Sequence, residues 1–329
     1  MEFGKNEINS YAMKSESVYQ QMLMNKFFFS GLAILGICLS HLIGVDRETP
    51  YWQIFYPGFV GVDIFLFYSG YGLCRSWEQN RPRVFYIRRM KRVYPLLIVF
   101  TLLLYGIAHF LKGETVTFFD ILCNLTTLNF WNVGGILAEW YISFILYLYI
   151  LFPLFYRLVM RYGVGVIGGA FVLLFVFLFF HREGWLYQCA FSRIPIFLLG
   201  ILCYQRKGMA TYRKGTWMFL LALLLMTVLF FLHIVQKFEL VYMSAPIILF
   251  LLAWITRKGV EVKGRFYYLF ETFGRYSLEI YLANMLVLYM MPILTLPCPT
   301  VLTYLLGHVV LVPILIGANR MAGLLLEKG

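Results

Sequence analysis

GFVGVDIFLFYSGYGLCRSWEQNRPRVFYIRRMKRVYP, residues 58–95, holds both chemical extremes of this chain. It opens on an acid, Asp63, at the edge of an apolar run. It then crosses about three helical turns of aromatic and aliphatic residues and ends in a cluster of cations, Arg88, Arg89, Lys91 and Arg92. A carboxyl group at one end and arginines at the other, separated by a membrane-length run, give the chain two chemically different sides.

The rest of the sequence fits a lipid solvent. Of 329 residues, 61% are hydrophobic and 13% charged, about half the charged share of a water-soluble domain. Mean hydropathy is +0.76. A bilayer core needs about 20 apolar residues per helix, and runs of roughly that length recur at 26–44, 58–76, 93–111, 138–157, 163–180, 191–204, 216–234, 240–256, 275–294 and 301–322. The expected fold is an all-α, polytopic bundle of about ten transmembrane helices. Residues 1–25 read as a polar tail, 26–322 as the membrane domain and 323–329 as a short second tail.

The formal charge of +12 is not a nucleic-acid signal, because of where it lies. With the first residues inside, 23 of the 28 Lys and Arg fall in cytoplasmic segments. That is the positive-inside pattern, and it places both tails in the cytoplasm. The six cysteines lack metal-ligand spacing and read mainly as small apolar residues. A disulfide among Cys123, Cys189 and Cys298 is the lesser reading. Residues 112–137 are too polar to span and too aromatic for a plain loop, so they are expected to lie in the interface or fold back over the bundle. Residues 257–275, basic then aromatic, read as an interfacial helix.

Ionisable groups inside spans mark function or specific pairing, since each costs free energy unless paired or wet. His41 lies 14 residues past Phe27, about 21 Å along a helix. Asp63 reaches a similar depth on the antiparallel neighbour. A carboxylate beside an imidazole raises its basicity, so the pair is a candidate base, or else a structural tie between two helices. Glu139, Trp140 and Arg193 share that depth, with snorkelling to the interface the simpler reading of Arg193. Arg89 and Arg92, at i and i+3, share a helix face and suit phosphate.

FFFSGLAILGICLSHL, GFVGVDIFLFYSGYGL and FYIRRMKRVYPL, followed in order by WYISFILYLYILFPLF, SRIPIFLLGIL and FGRYSLEIYLANML, resemble the acyltransferase 3 family of bacterial membrane O-acyltransferases across about 27–290. The resemblance implies acyl-CoA, usually acetyl-CoA, as donor and a carbohydrate or glycolipid hydroxyl as acceptor, without metal or nucleic acid, in the bacterial inner membrane. The family histidine maps onto His41 and its Arg-x-x-Arg pair onto Arg89 and Arg92. With the depth and charge readings added to that mapping, the expected catalytic set is His41, Asp63 and Glu139, the donor set Arg88, Arg89 and Arg92, and the substrate-binding set Trp140, Arg193 and Asn284. The chain departs from the family pattern at Ser30, where an arginine tied to catalysis or donor handling is common. It departs again at Ile145 and Leu146, and at Asn284, where the ninth span often carries histidine. A non-catalytic scaffold and a transporter of glycan intermediates stand as the alternative readings.

Overall fold

The computed structural model describes residues 22–45, 56–136, 139–180, 185–205, 264–293 and 300–327. Every regular element among them is helical. In chain order they are α1 (Lys26–Val45), a 3-10 turn (Tyr56–Val60), α2 (Gly61–Gln79), α3 (Pro82–Lys112), α4 (Phe118–Leu125), a second 3-10 turn (Leu128–Trp131) and α5 (Trp140–Tyr162). Then follow α6 (Val164–Phe180), α7 (Trp185–Phe191), α8 (Ile194–Gln205), α9 (Arg265–Arg275), α10 (Ser277–Met290) and α11 (Thr300–Glu327). Among the described residues, three helices are long and apolar enough to cross a bilayer: α3, α5 and the first 25 residues of α11. This is a membrane protein. The expected spans at 216–234 and 240–256, and Cys298, lie outside the described residues.

Two helix boundaries differ from the sequence expectation. The third apolar run is expected to begin at residue 93, but α3 begins at Pro82 and carries the whole basic cluster. Proline at the first helical position has its φ already set and lacks a donor that would go unused there. Long basic side chains are also good helix formers. Further on, Pro95 withholds the N–H that would bond the Lys91 carbonyl, so the hydrogen-bond ladder is interrupted just after Arg92. The expected sixth span, 191–204, starts three residues later as α8 at Ile194, just after Arg193 and the end of α7 at Phe191.

Lipid supplies no hydrophobic drive between helices, so their packing relies on close backbone approach at small residues. Here it comes in reciprocal glycine pairs. A methyl group at Gly31 would run into the Phe270 carbonyl, and one at Gly274 into the Phe27 carbonyl, which welds α1 to α9. Gly70 and Gly200 meet the carbonyls of Phe197 and Phe67 in the same way and seat α8 on α2. Gly36 and Gly58 bring the first 3-10 turn against α1.

The segment after α3 folds back over the bundle. Gly113, in the left-handed region at φ 68°, ends α3. Thr117 and Asp120 then form a reciprocal cap on α4: Asp120 N–H donates to Thr117 Oγ1 (3.2 Å) and Thr117 N–H to Asp120 Oδ2 (3.0 Å). Tyr105 of α3 donates to the Asp120 carbonyl and accepts from Ile136 N–H, each at 2.9 Å. Asn124 and Asn129 both donate to the Ile136 carbonyl. Phe118, Phe119 and Trp131 stay exposed, as suits a segment facing lipid headgroups.

Candidate active site

A cavity of about 190 Å³ lies between α1, α2, α3, α5 and α10. At one end it is lined by Lys26 from the first turn of α1 and by Arg89 and Arg92 from α3; at the other it reaches Ile37 and Val62. Ile37 lies one helical turn before His41, and Val62 is the neighbour of Asp63. Tyr68, Ser69, Tyr141, Tyr149 and Ser277 add hydroxyl-bearing side chains to the walls, and Ser30 lies on the α1 wall one turn above Lys26.

The basic end is built from two helices. Lys26 stands 5.8 Å from the Tyr68 ring centroid, and the Tyr68 hydroxyl donates to the Met22 carbonyl at 2.7 Å. The Arg89 guanidinium lies 5.4 Å from the Phe85 ring. Its Nε is buried and has no hydrogen-bond partner among the described residues. Arg92 is exposed at the opening. Arg88, grouped with these two on sequence, points elsewhere: it is exposed and does not line the cavity.

Beyond the far end, the structure corrects the expected pairing. His41 is half-buried, and its Nδ1 meets the amide of Asn284 at 2.6 Å, not Asp63. Asn284 is fully buried and its amide also contacts the Tyr304 hydroxyl. Asp63 is fully buried and paired instead with Arg193, whose Nε lies 3.3 Å from Oδ1. Arg193 does not snorkel either; it is 1% exposed. A guanidinium cannot shed its proton, so once buried it needs an anion beside it. Asp63 supplies that anion and is thereby taken from His41. Arg193 also donates to the Cys189 carbonyl, and its guanidinium lies 5.3 Å from the Trp140 ring. Glu139, fully buried, accepts from Asn129 at 2.9 Å. Asp63, Arg193 and Trp140 thus form one polar cluster, with Glu139 beside Trp140, while His41, Asn284 and Tyr304 form another.

A model of the acyltransferase domain matches this chain over residues 31–319. The chain belongs to the acyltransferase 3 family. Neither a curated protein nor a solved structure matches it. Family membership makes this protein a membrane acyltransferase, which needs an acyl donor and an acceptor. Among its described residues no group of three or more His, Cys, Asp or Glu could hold a metal ion. Cys123 and Cys189 are not joined to each other by a disulfide.

Sequence reasoning missed several residues of this acyltransferase that line the cavity or hold its end in place. Lys26 is named by the sequence only as one of three cations, with Arg75 and Arg88, able to supply charge at the inner mouth, and the cavity singles it out beside Arg89 and Arg92. Tyr68, Tyr141, Tyr149 and Tyr304 are lost in a chain with 24 tyrosines. The available signal was that a tyrosine inside an apolar span needs a partner for its hydroxyl.

Proposed function

We propose that this protein is an O-acyltransferase of the bacterial cytoplasmic membrane, multi-pass, with its basic end inward. It takes an acyl group, most simply acetyl, from cytoplasmic acyl-CoA and delivers it to a hydroxyl of a cell-surface or exported glycan. The observation that carries this reading is the cavity that starts among Lys26, Arg89 and Arg92 and ends one turn from His41. The three cations meet the phosphates of the donor, where charge-assisted hydrogen bonds are strongest. Lys26 gives α1 a positive charge one turn from Ser30, the position where relatives carry arginine. The uncharged pantetheine arm follows the tyrosine-lined walls and brings the thioester toward His41.

His41 acts as general base. Its Nε2 takes the proton of the acceptor hydroxyl as that oxygen attacks the thioester carbonyl. The carbon–sulfur bond breaks, and the leaving thiolate recovers the proton from the imidazolium, releasing the free thiol. Trp140, Arg193 and Glu139 provide an aromatic face and polar groups on the acceptor side. Asp63 serves by holding Arg193 in place.

The test uses purified full-length protein in lipid nanodiscs with radiolabelled acetyl-CoA, together with mass analysis of surface glycans from cells with and without the gene. His41→Ala is expected to abolish acyl incorporation while the protein accumulates in the membrane and still binds acetyl-CoA. Normal incorporation by His41→Ala removes His41 from the chemistry. No binding of acyl-CoA by the wild type removes the enzyme reading.

A further inference from the structure

The hydrogen-bond bookkeeping around Asn284 decides which nitrogen of His41 carries the hydrogen. The Asn284 amide touches Nδ1 of His41 on one edge and the Tyr304 hydroxyl on the other. That same hydroxyl lies 2.8 Å from the carbonyl oxygen of Cys38, three residues before His41 on α1. Asn284 is fully buried and Tyr304 is 3% exposed, so these groups must satisfy one another.

A phenol has a single hydrogen to donate, and a backbone carbonyl can only accept. With its nitrogen toward His41, the amide sets its oxygen against the Tyr304 hydroxyl. Two acceptors then compete for one hydrogen, and the losing contact becomes a clash of lone pairs. Turning the amide by half a rotation resolves both contacts. Tyr304 donates to the Cys38 carbonyl and accepts from the Asn284 nitrogen. The two ends of an amide have nearly the same shape, so the turn leaves packing unchanged and the network alone selects it. The amide oxygen now faces Nδ1 of His41, which must carry a hydrogen to bond it.

We propose that Asn284, keyed by Tyr304, is a positioning residue that keeps the His41 hydrogen on Nδ1 and the lone pair on Nε2. Its consequence for catalysis rests on His41 being the base, as proposed above; the tautomer itself does not. The same contact fixes the ring plane, so that Nε2 presents its lone pair in one direction. A histidine held in the wrong tautomer loses about 10⁴-fold in turnover where this has been isolated.

The experiment is nitrogen-15 NMR of histidine-labelled full-length protein in lipid nanodiscs, with His41→Gln identifying the His41 signals, alongside steady-state acyl transfer. In the wild type and in Asn284→Asp the hydrogen is expected on Nδ1, because a carboxylate also accepts there. In Asn284→Leu the hydrogen redistributes to Nε2 and kcat falls about 10²-fold or more, with KM for acetyl-CoA unchanged. Asn284→Asp keeps the Nδ1 hydrogen but leaves the Tyr304 hydroxyl between two acceptors, so kcat falls by less than in Asn284→Leu. Tyr304→Phe leaves the amide unkeyed, so both tautomers appear and kcat falls by less. A wild-type His41 carrying its hydrogen on Nε2 overturns the proposal, as does Asn284→Leu with wild-type kcat in a protein whose His41→Ala variant is inactive. If Asn284→Leu does not accumulate, the wild-type and Tyr304→Phe spectra still decide. An Nδ1 hydrogen in a protein whose His41→Ala variant transfers acyl groups normally defeats the base reading and leaves the positioning assignment standing.

Discussion

Replacing Arg193 by methionine tests the reassignment of Asp63 most directly. Both side chains are out of solvent, 2% and 0% exposed, with Nε and Oδ1 3.3 Å apart. Removing the guanidinium strands a carboxylate that has no other charged partner within ion-pair distance among the described residues. Breaking one side of such a buried pair costs about 3–5 kcal/mol, whereas replacing both members by neutral groups of similar volume is often close to neutral. Arg193→Met alone is therefore expected to be about 3–5 kcal/mol less stable, and adding Asp63→Asn should restore at least about 2 kcal/mol of that. The assay is unfolding of the four proteins of the double-mutant cycle in mixed micelles, followed by tryptophan fluorescence, since Trp140 lies against Arg193. Acetyl transfer is measured on the same samples. If Asp63 serves by neutralising Arg193, then Asp63→Asn costs little further turnover once Arg193 is methionine. Strict additivity of the two substitutions, or a full loss of kcat from Asp63→Asn in the methionine background, refutes this reasoning and returns Asp63 to His41.

Three further outcomes are expected. Gly274→Ala drives a methyl group into the Phe27 carbonyl at the α1–α9 weld, and should cost about 1–3 kcal/mol or more, seen as reduced yield and earlier thermal aggregation. Lys26→Gln, Arg89→Gln and Arg92→Gln should each raise KM for acetyl-CoA about 5- to 10-fold with kcat little changed, while Arg88→Gln, outside the cavity, should not; equal effects at all four positions would point to a general field. The Asp120 carboxyl is held below its ordinary value of 3.8, first by the Thr117 hydroxyl and then by the Thr117 and Gly135 N–H groups. A depressed carboxylate stabilises the fold above its unfolded value and stops doing so as pH falls through its folded one. Hydrogen exchange of residues 117–136 should therefore rise as pH drops below about 3.8, and Asp120→Asn should lack that step.

The all-helical plan was legible because lipid leaves a 20-residue apolar run few other conformations, and the family was legible because its segments recur in order. His41, Arg89 and Arg92 were legible as charges or rings out of place among aliphatic residues. The partnerships were not. Depth along a helix places His41, Asp63, Glu139 and Arg193 at one level, but whether two of them touch depends on helix rotation. Rotation is set here by contacts such as Gly70 against Phe197, which carry no charge signal. Asn284 shows the same limit. Its place where the family often carries histidine suggested a role near substrate, whereas its contacts are with His41 and Tyr304, 243 and 20 residues away in sequence.

The weld between α1 and α9 makes the two walls of the cavity mouth mechanically unequal. Lys26 belongs to the wall whose helices touch backbone to backbone through Gly31 and Gly274, with no slack for sliding. Arg89 and Arg92 belong to a helix whose own ladder is interrupted beside them by Pro95. If Lys26, Arg89 and Arg92 hold the donor as proposed, Lys26 stands on the more tightly packed side of the mouth. The turn that carries Arg89 and Arg92 has one fewer backbone hydrogen bond tying it to the rest of α3, so it is the less constrained side of that mouth.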